Sequence, residues 1–508
     1  MHRATWATAF GLVAGLAILS CGSDDSSTPT ATGGAAGSAG ATGGGSGASG
    51  KGGAAGNGGA TGGSGGTAGT AGTGAGGNGG ATGGSAGTSG TGGTAGTGGI
   101  GGSGGGPPST DCALPEVRCV DDTPGATQEY STIQAAADAT KAGDSVVVWE
   151  GTYAGFQVDA SGAQGQPIYF YATGGSVLIN QPASTGDGIR LQNVSHVVID
   201  GFHVQGVPER CIAARGATPD TPMVGIVVRR NLCEQAGVEG FYLSEISSSL
   251  VEGNEVASTG LSGDARSHCV YLANAGSDNT TLRNNVLHGC KNAESNGIHF
   301  NGDLSVGGDG IISGLVVEGN RIYDTGQNGL NMDGVQDSLV QNNIIFGNAR
   351  NAMRAYAIDG AQGPKNLHVV SNTLVALTSG WGVKFSEDLG GHVVFNNILL
   401  GADGAISMDA SPGFQSDYNV VTDQLSGDGE NNILPLAGWQ ALGFDAHSLV
   451  SAEAALFVAP GSDYKLKAGA PAIDKGTPSF GGQQAPTVDF FGTARPQGAA
   501  FDIGAHEL

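Results

Sequence analysis

From residue 188 to residue 407 the chain repeats a short phrase: a small residue, then apolar, variable, apolar. It reads Gly188-Ile-Arg-Leu, Cys211-Ile-Ala-Ala, Gly240-Phe-Tyr-Leu, Cys269-Val-Tyr-Leu, Gly297-Ile-His-Phe, Gly329-Leu-Asn-Met, Ala352-Met-Arg-Ala, Gly382-Val-Lys-Phe and Gly404-Ala-Ile-Ser. Successive phrases are 23, 29, 29, 28, 32, 23, 30 and 22 residues apart. A second phrase interleaves: apolar residues, then Asn, any residue, apolar. Its asparagines are Asn231, Asn254, Asn285, Asn320, Asn343, Asn372 and Asn397, with Phe202 in the equivalent place one coil earlier. Alternation of period two makes each phrase a strand, with Ile298 and Phe300 on one side and His299 on the other. A period of this length, built of short strands with no helix-length segment, predicts a solenoid. One coil cannot bury its own apolar face. Coils stacked about 4.8 Å apart pair strand on strand and share one core. Asn at one corner suits a hydrogen-bonded ladder and tolerates a left-handed bend; Gly at the other supplies the same conformation without a Cβ. The Leu-x-x-Leu-x-Leu of leucine-rich repeats is absent, and the coils are too short for propeller blades.

Composition divides the chain. Residues 31–106 are almost only Gly, Ala, Thr and Ser, with one charge at Lys51. Such a segment buries no core, so residues 22–106 read as a tether spanning about 50 Å on average. Residues 107–429 carry the solenoid. Residues 430–508 lose the repeat and read as an irregular C-terminal cap over the last coil. The net charge of −24 argues against nucleic acid and against charge-driven binding to anionic bilayers. A monomer is expected.

Six cysteines remain when Cys21 is set aside, an even number. Cys112 and Cys119 are close in sequence. Cys211 and Cys269 hold the same place in their coils, and Cys233 and Cys290 each precede the next phrase by seven residues. That duplication suggests Cys211–Cys233 and Cys269–Cys290. The alternative is six free cysteines filling small core positions.

Residues 1–21 read as an export signal: Arg3, the apolar stretch Ala7 to Leu19, then Ile18-Leu19-Ser20-Cys21. The last four resemble a bacterial lipobox, which implies lipidation at Cys21. Gly22 and Ser23 after it imply an outer-membrane, cell-surface lipoprotein that meets the membrane only through this anchor. Further on, Tyr130-Ser-Thr-Ile-Gln-Ala-Ala, Ala142-Gly-Asp-Ser-Val-Val-Val and Gly151-Thr-Tyr resemble the opening of bacterial right-handed β-helix proteins, including chondroitinase B-like and alginate lyase-like polysaccharide lyases. There a short helix, here residues 134–141, caps the first coil. Asn331-Met-Asp-Gly-Val-Gln-Asp-Ser and Val394-Phe-Asn-Asn-Ile-Leu resemble the generic repeat of lyases, polygalacturonases and uncharacterised surface proteins. Pro471-Ala-Ile-Asp-Lys-Gly and the stretch from Arg495 to Glu507 resemble a tail of such exported proteins. The resemblance implies an all-β, single-stranded right-handed parallel β-helix. It specifies the reaction weakly, since one scaffold hosts many chemistries.

The outward positions are where chemistry is expected. The third residues of the phrases form one column: Arg190, Ala213, Tyr242, Tyr271, His299, Asn331, Arg354, Lys384 and Ile406, the last breaking the alternation. Two residues further along the strands lie Ser244, Ala273, Asn301, Asp333, Tyr356 and Ser386, and adjacent loops add Asp303, Asp359, Glu387 and Asp388. Aromatic rings, amides and charges on one face suit a polysaccharide, with Tyr242, Tyr271, Asn301, Asn331, Tyr356 and Trp381 as binding residues. A uronate lyase would need a cation, a base and an acid: Lys384 or Arg354 as base, His299 or Tyr356 as acid, and Ca²⁺ held by Asp303, Asp333 and Asn301. A polygalacturonase-like hydrolase would pair Asp303 with Asp333, although that family's Asn-Thr-Asp and Gly-His-Gly motifs are absent. A non-catalytic glycan-binding surface protein is the third reading.

Overall fold

The computed structural model describes residues 108–123 and 128–508. The export signal, Cys21 and the tether lie outside the described residues. Each coil contributes up to three short parallel strands, so the solenoid has three sides. In one coil these are Val316–Glu318 on side A, Arg321–Tyr323 on side B and Leu330–Asp333 on side C. Sides A and B belong to one 22-stranded sheet, and side C is a separate sheet of 11 strands from Phe156–Val158 to Leu425–Ser426. Its register pairs Tyr242 with Tyr271, Tyr271 with His299, His299 with Asn331, Asn331 with Arg354 and Arg354 with Lys384. At the end of the column the expectation fails. Lys384 pairs with Ser407, while Ile406 pairs with Val383 and is buried in the core.

The corner between sides A and B is a continuous amide ladder. Asn231 Nδ2 donates to Asn254 Oδ1 at 3.0 Å, and the same bond links Asn254 to Asn285, Asn320, Asn343, Asn372, Asn397 and Asn419 in turn. Each Oδ1 also accepts the backbone N–H of the preceding ladder residue, as Asn343 Oδ1 does from Asn320 N at 2.9 Å. The left-handed conformation falls one position earlier than expected. It belongs to the residue before each ladder Asn, for example Arg230 at φ 55° and Asn342 at φ 54°. The ladder asparagines are buried because they satisfy backbone groups that the bend frees.

The small residue that opens each side C strand is there for room. At Gly297 a Cβ would collide with Ile322 Cγ2 and the Gly329 carbonyl. Where cysteines occupy this corner they bridge to side B, giving Cys211–Cys233 and Cys269–Cys290; Cys112–Cys119 joins the entry strand to the segment before it.

A helix at Ile133–Asp138, N-capped by Thr132, buries Ile133, Ala136 and Ala137 against the first coil. It starts one residue earlier and stops three earlier than the sequence pattern indicated, because Thr140 Oγ1 bonds the Ala137 carbonyl at 2.7 Å and Asp144 Oδ2 takes the Lys141 N–H. The far end is closed by the helix Leu436–Gln440, whose Trp439 is fully buried.

Residues beyond Val450 do more than cap. They fold back along the outside of the solenoid. Leu456, Phe457, Tyr464, Leu466 and Ile503 pack on the outward side chains of Ile344, Phe346, Val375, Ile398 and Leu400. Phe501 and Ala485 cover Val370, Val393 and Phe395. Buried Arg495 clasps the tail, bonding the Asp502 and Gly504 carbonyls and pairing with Glu507. This explains strands that depart from alternation. Ile344–Phe346 and Ile398–Gly401 are buried on both faces, as continuous apolar runs require.

Candidate functional site

The outer face of side C is the floor of the candidate site. A wall rises along one edge, made of loops that leave the side C strands. Residues 302–311 and 357–361 are zipped by Leu304 N to the Asp359 carbonyl (2.9 Å) and Ala361 N to the Gly310 carbonyl (3.0 Å). Gly308 sits so close to Pro219 and Ala275 that a Cβ there would strike both side chains. The wall therefore runs across several coils.

Asp333 builds this wall. It is buried, and its carboxylate accepts the backbone N–H groups of Ile358 and Gly360 on Oδ1 and of Asp359 on Oδ2, all within 3.0 Å. Burial raises its pKa while those three bonds pull the other way. Asp333, expected as an acid–base or metal residue, is engaged by these three amides as a fastener of the wall. Asp303 is likewise engaged locally, capping the short helix Leu304–Val306 by bonds from Ser305 N and Oγ. Among the described residues no cluster of three His, Cys, Asp or Glu side chains is arranged to hold a metal.

Several expected sugar contacts are also committed. Asn331 is buried, donating to the Tyr356 hydroxyl at 2.7 Å and accepting from Asn328 Nδ2 at 3.0 Å. Asn301 donates to the Tyr271 hydroxyl at 3.0 Å and accepts from Asp303 N. Trp381 is buried, packed over Gly404, with its backbone N–H on Asn351 Oδ1; it is no exposed platform. The Tyr242 ring lies under the Arg215 and Arg210 guanidinium groups, at 4.4 and 5.2 Å, and meets Tyr271 edge-on. Amides orient the phenols, and the phenols stay protonated: burial pushes Tyr356 up to about 12 and raises Tyr271 as well.

The cations differ in availability. Lys384 is ion-paired with Glu430 at 2.6 Å, a partner supplied from beyond the repeat, and an ion-paired ammonium offers no lone pair to act as base. Arg190 pairs with Asp187. Arg354 lies over the Tyr356 ring at 4.1 Å, and its buried Nε has no hydrogen-bond acceptor among the described residues. Of the column's three cations, it alone has no carboxylate within ion-pairing distance among the described residues.

Sequence reasoning missed His268. Its Nε2 lies 3.0 Å from His299 Nδ1, and His299 stacks on Tyr271 at 5.1 Å. Its signal was present. His268 holds the position immediately before the phrase, where later coils have Asn296, Asn328 and Asn351, and these form a second amide ladder.

Residues 264–421 match the family model described as right handed beta helix region. Among solved structures, the chain is similar to pectate lyase Pel9A at 14% identity, covering 77% of this chain and 96% of that one, with a TM-score of 0.50. It is also similar to XylC in complex with xylose (10% identity, 77% and 98% covered, TM-score 0.46) and to the A-module of the Azotobacter vinelandii mannuronan C-5 epimerase AlgE6 (16% identity, 63% and 93% covered, TM-score 0.33). No curated protein matches. The chain carries a right-handed parallel β-helix.

Proposed function

We propose that the outer face of side C binds an extracellular acidic polysaccharide laid along the solenoid axis. The observation that carries this is the register of Tyr242, Tyr271, His299, Asn331, Arg354 and Lys384 in one column beside a wall, with Arg354 free of any carboxylate partner among the described residues. A guanidinium without a carboxylate, on a protein of net charge −24, is a local site for a uronate carboxylate. A polymer is favoured over a small ligand because the column spans about 25 Å at 4.8 Å per coil. The pectate lyase of the same fold names one polymer class that such a scaffold takes. Export by residues 1–21, a lipid on Cys21 and the Gly-rich tether would display the site outside the cell.

Retention without cleavage is the reading the geometry supports best, because Lys384 is ion-paired and Asp333 is spent. Cleavage by β-elimination is the second reading. It is favoured by Arg354 beside the protonated Tyr356, a charge neutraliser next to an acid. Incubating the full chain with alginate, pectate and chondroitin separates these. Retention without unsaturated product or new reducing ends supports binding, and ultraviolet-absorbing product supports elimination. Failure to retain or cleave any of the three refutes both.

A further inference from the structure

His268 and His299 form a relay whose hydrogen positions are dictated by the backbone. Asn296 N–H points at His268 Nδ1 from 3.0 Å. A backbone N–H can only donate, so Nδ1 holds a lone pair and the proton of a neutral ring sits on Nε2. That Nε2–H faces His299 Nδ1 at 3.0 Å, which must accept. The proton of His299 is therefore on its own Nε2. There the relay stops: His299 Nε2 is buried and has no hydrogen-bond partner among the described residues, although the ring itself is only half-buried at the floor of the site. Leaving a buried donor unmet costs about 1–3 kcal/mol, so a native structure that keeps one invites an account of what accepts from it.

We infer that His299 is a specificity-determining residue, a neutral imidazole whose Nε2–H is presented to an acceptor oxygen of the bound polysaccharide, and that His268 is the positioning residue that fixes its tautomer. This rests on the polysaccharide reading above. A second proton on either ring would set two N–H groups against each other or displace the Asn296 amide. Burial accordingly depresses both rings, His299 to about 3 and His268 well below its ordinary value. The ionisable groups around the pair are the protonated Tyr271 stacked on His299 and Arg266, which is paired with Glu294. None of these ties up the His299 proton. The donor stays in place from mildly acid to neutral pH, unlike an imidazolium that would come and go.

The test uses the full chain labelled with ¹⁵N, and oligomers of alginate and of pectate as probes. Long-range proton–nitrogen correlation should show both rings neutral with the proton on Nε2 between about pH 5 and 8. Adding the oligomer that is retained should shift His299 Nε2. His299→Phe should weaken binding about tenfold or more, whereas His299→Asn, which keeps an N–H donor, should recover part of it. His268→Asn, which can accept from the backbone and donate to Nδ1, should preserve the tautomer; His268→Ala should release it and make affinity pH-dependent. A proton on Nδ1, or retention of an oligomer with His299 unshifted, overturns this inference alone. Retention of neither oligomer by the unaltered chain overturns the polysaccharide reading, and the donor role with it, whatever the tautomer.

Discussion

Two rings held neutral against their ordinary basicity must make the fold sensitive to acid, and the amount follows from the structure. An unfolded histidine takes a proton near pH 6.5, while burial holds His299 down to about 3 and holds His268 well below its ordinary value. Between those values the unfolded chain binds more protons than the folded one, so stability is complete above about pH 6.5 and is lost as pH falls. From about pH 7.5 to about pH 5 His299 alone removes about 2 kcal/mol, and His268 acts in the same direction. Several buried or half-buried carboxylates, Asp200, Glu239, Asp278 and Asp333 among them, have raised pKa values and oppose this trend. The clean observable is therefore a difference between two chains. His268→Asn with His299→Asn is the natural comparison, because one coil further on Asn296 follows His268 and Asn331 follows His299 in place. Urea unfolding of both chains at the two pH values should show the unaltered one losing about 2 kcal/mol or more relative to the variant. Parallel losses, within about 0.5 kcal/mol, would mean that the rings charge freely, and the relay as described would be wrong.

Other outcomes follow from single residues. Asn320→Ala removes two donated bonds, to Asn343 Oδ1 and the Leu282 carbonyl, and two accepted from Asn285, and should cost about 3 kcal/mol or more by denaturant midpoint; a cost under about 1 would show that the ladder is decoration. Asp333→Ala frees the amides of Ile358, Asp359 and Gly360, whose hydrogen exchange should quicken at least about tenfold while the core is unaffected; unchanged exchange would remove Asp333 from the wall. Arg495→Ala leaves Glu507 buried without its cation and should loosen the tail, read as faster proteolysis after residue 450; an unchanged cleavage rate would deny Arg495 that role.

The solenoid, its register and the Asn corner were legible because stacking repeats the same demand in every coil, and a demand met eight times leaves a column in the sequence. Ile406 was misplaced because the phrase was aligned on Gly404, whereas Gly404 pairs with Trp381 and the outward place opposite Lys384 falls to Ser407. The tail was underestimated for a related reason. Its contacts join Phe346 to Tyr464 and Asn396 to Thr477, far apart in sequence and made once. Even so, the runs Ile344-Ile345-Phe346 and Ile398-Leu399-Leu400 announced a second buried face. At the site, residue types were readable but their engagements were not. Asn331 and Asp333 look like ligand contacts until the hydrogen bonds from Asn328 and from loop 357–360 are known, and Lys384 looks free until Glu430 arrives from outside the repeat.

Oxidative and amine-directed footprinting of the full chain, with and without the oligosaccharide it retains, addresses the polysaccharide site most directly. Half-buried Tyr242, Tyr271, His299 and Lys384 line side C, and half-buried His288 and Tyr323 stack on side B as an internal control. The sugar should shield the first four and leave His288 and Tyr323 unchanged. Shielding confined to side B, with side C as reactive as before, would contradict a site on side C.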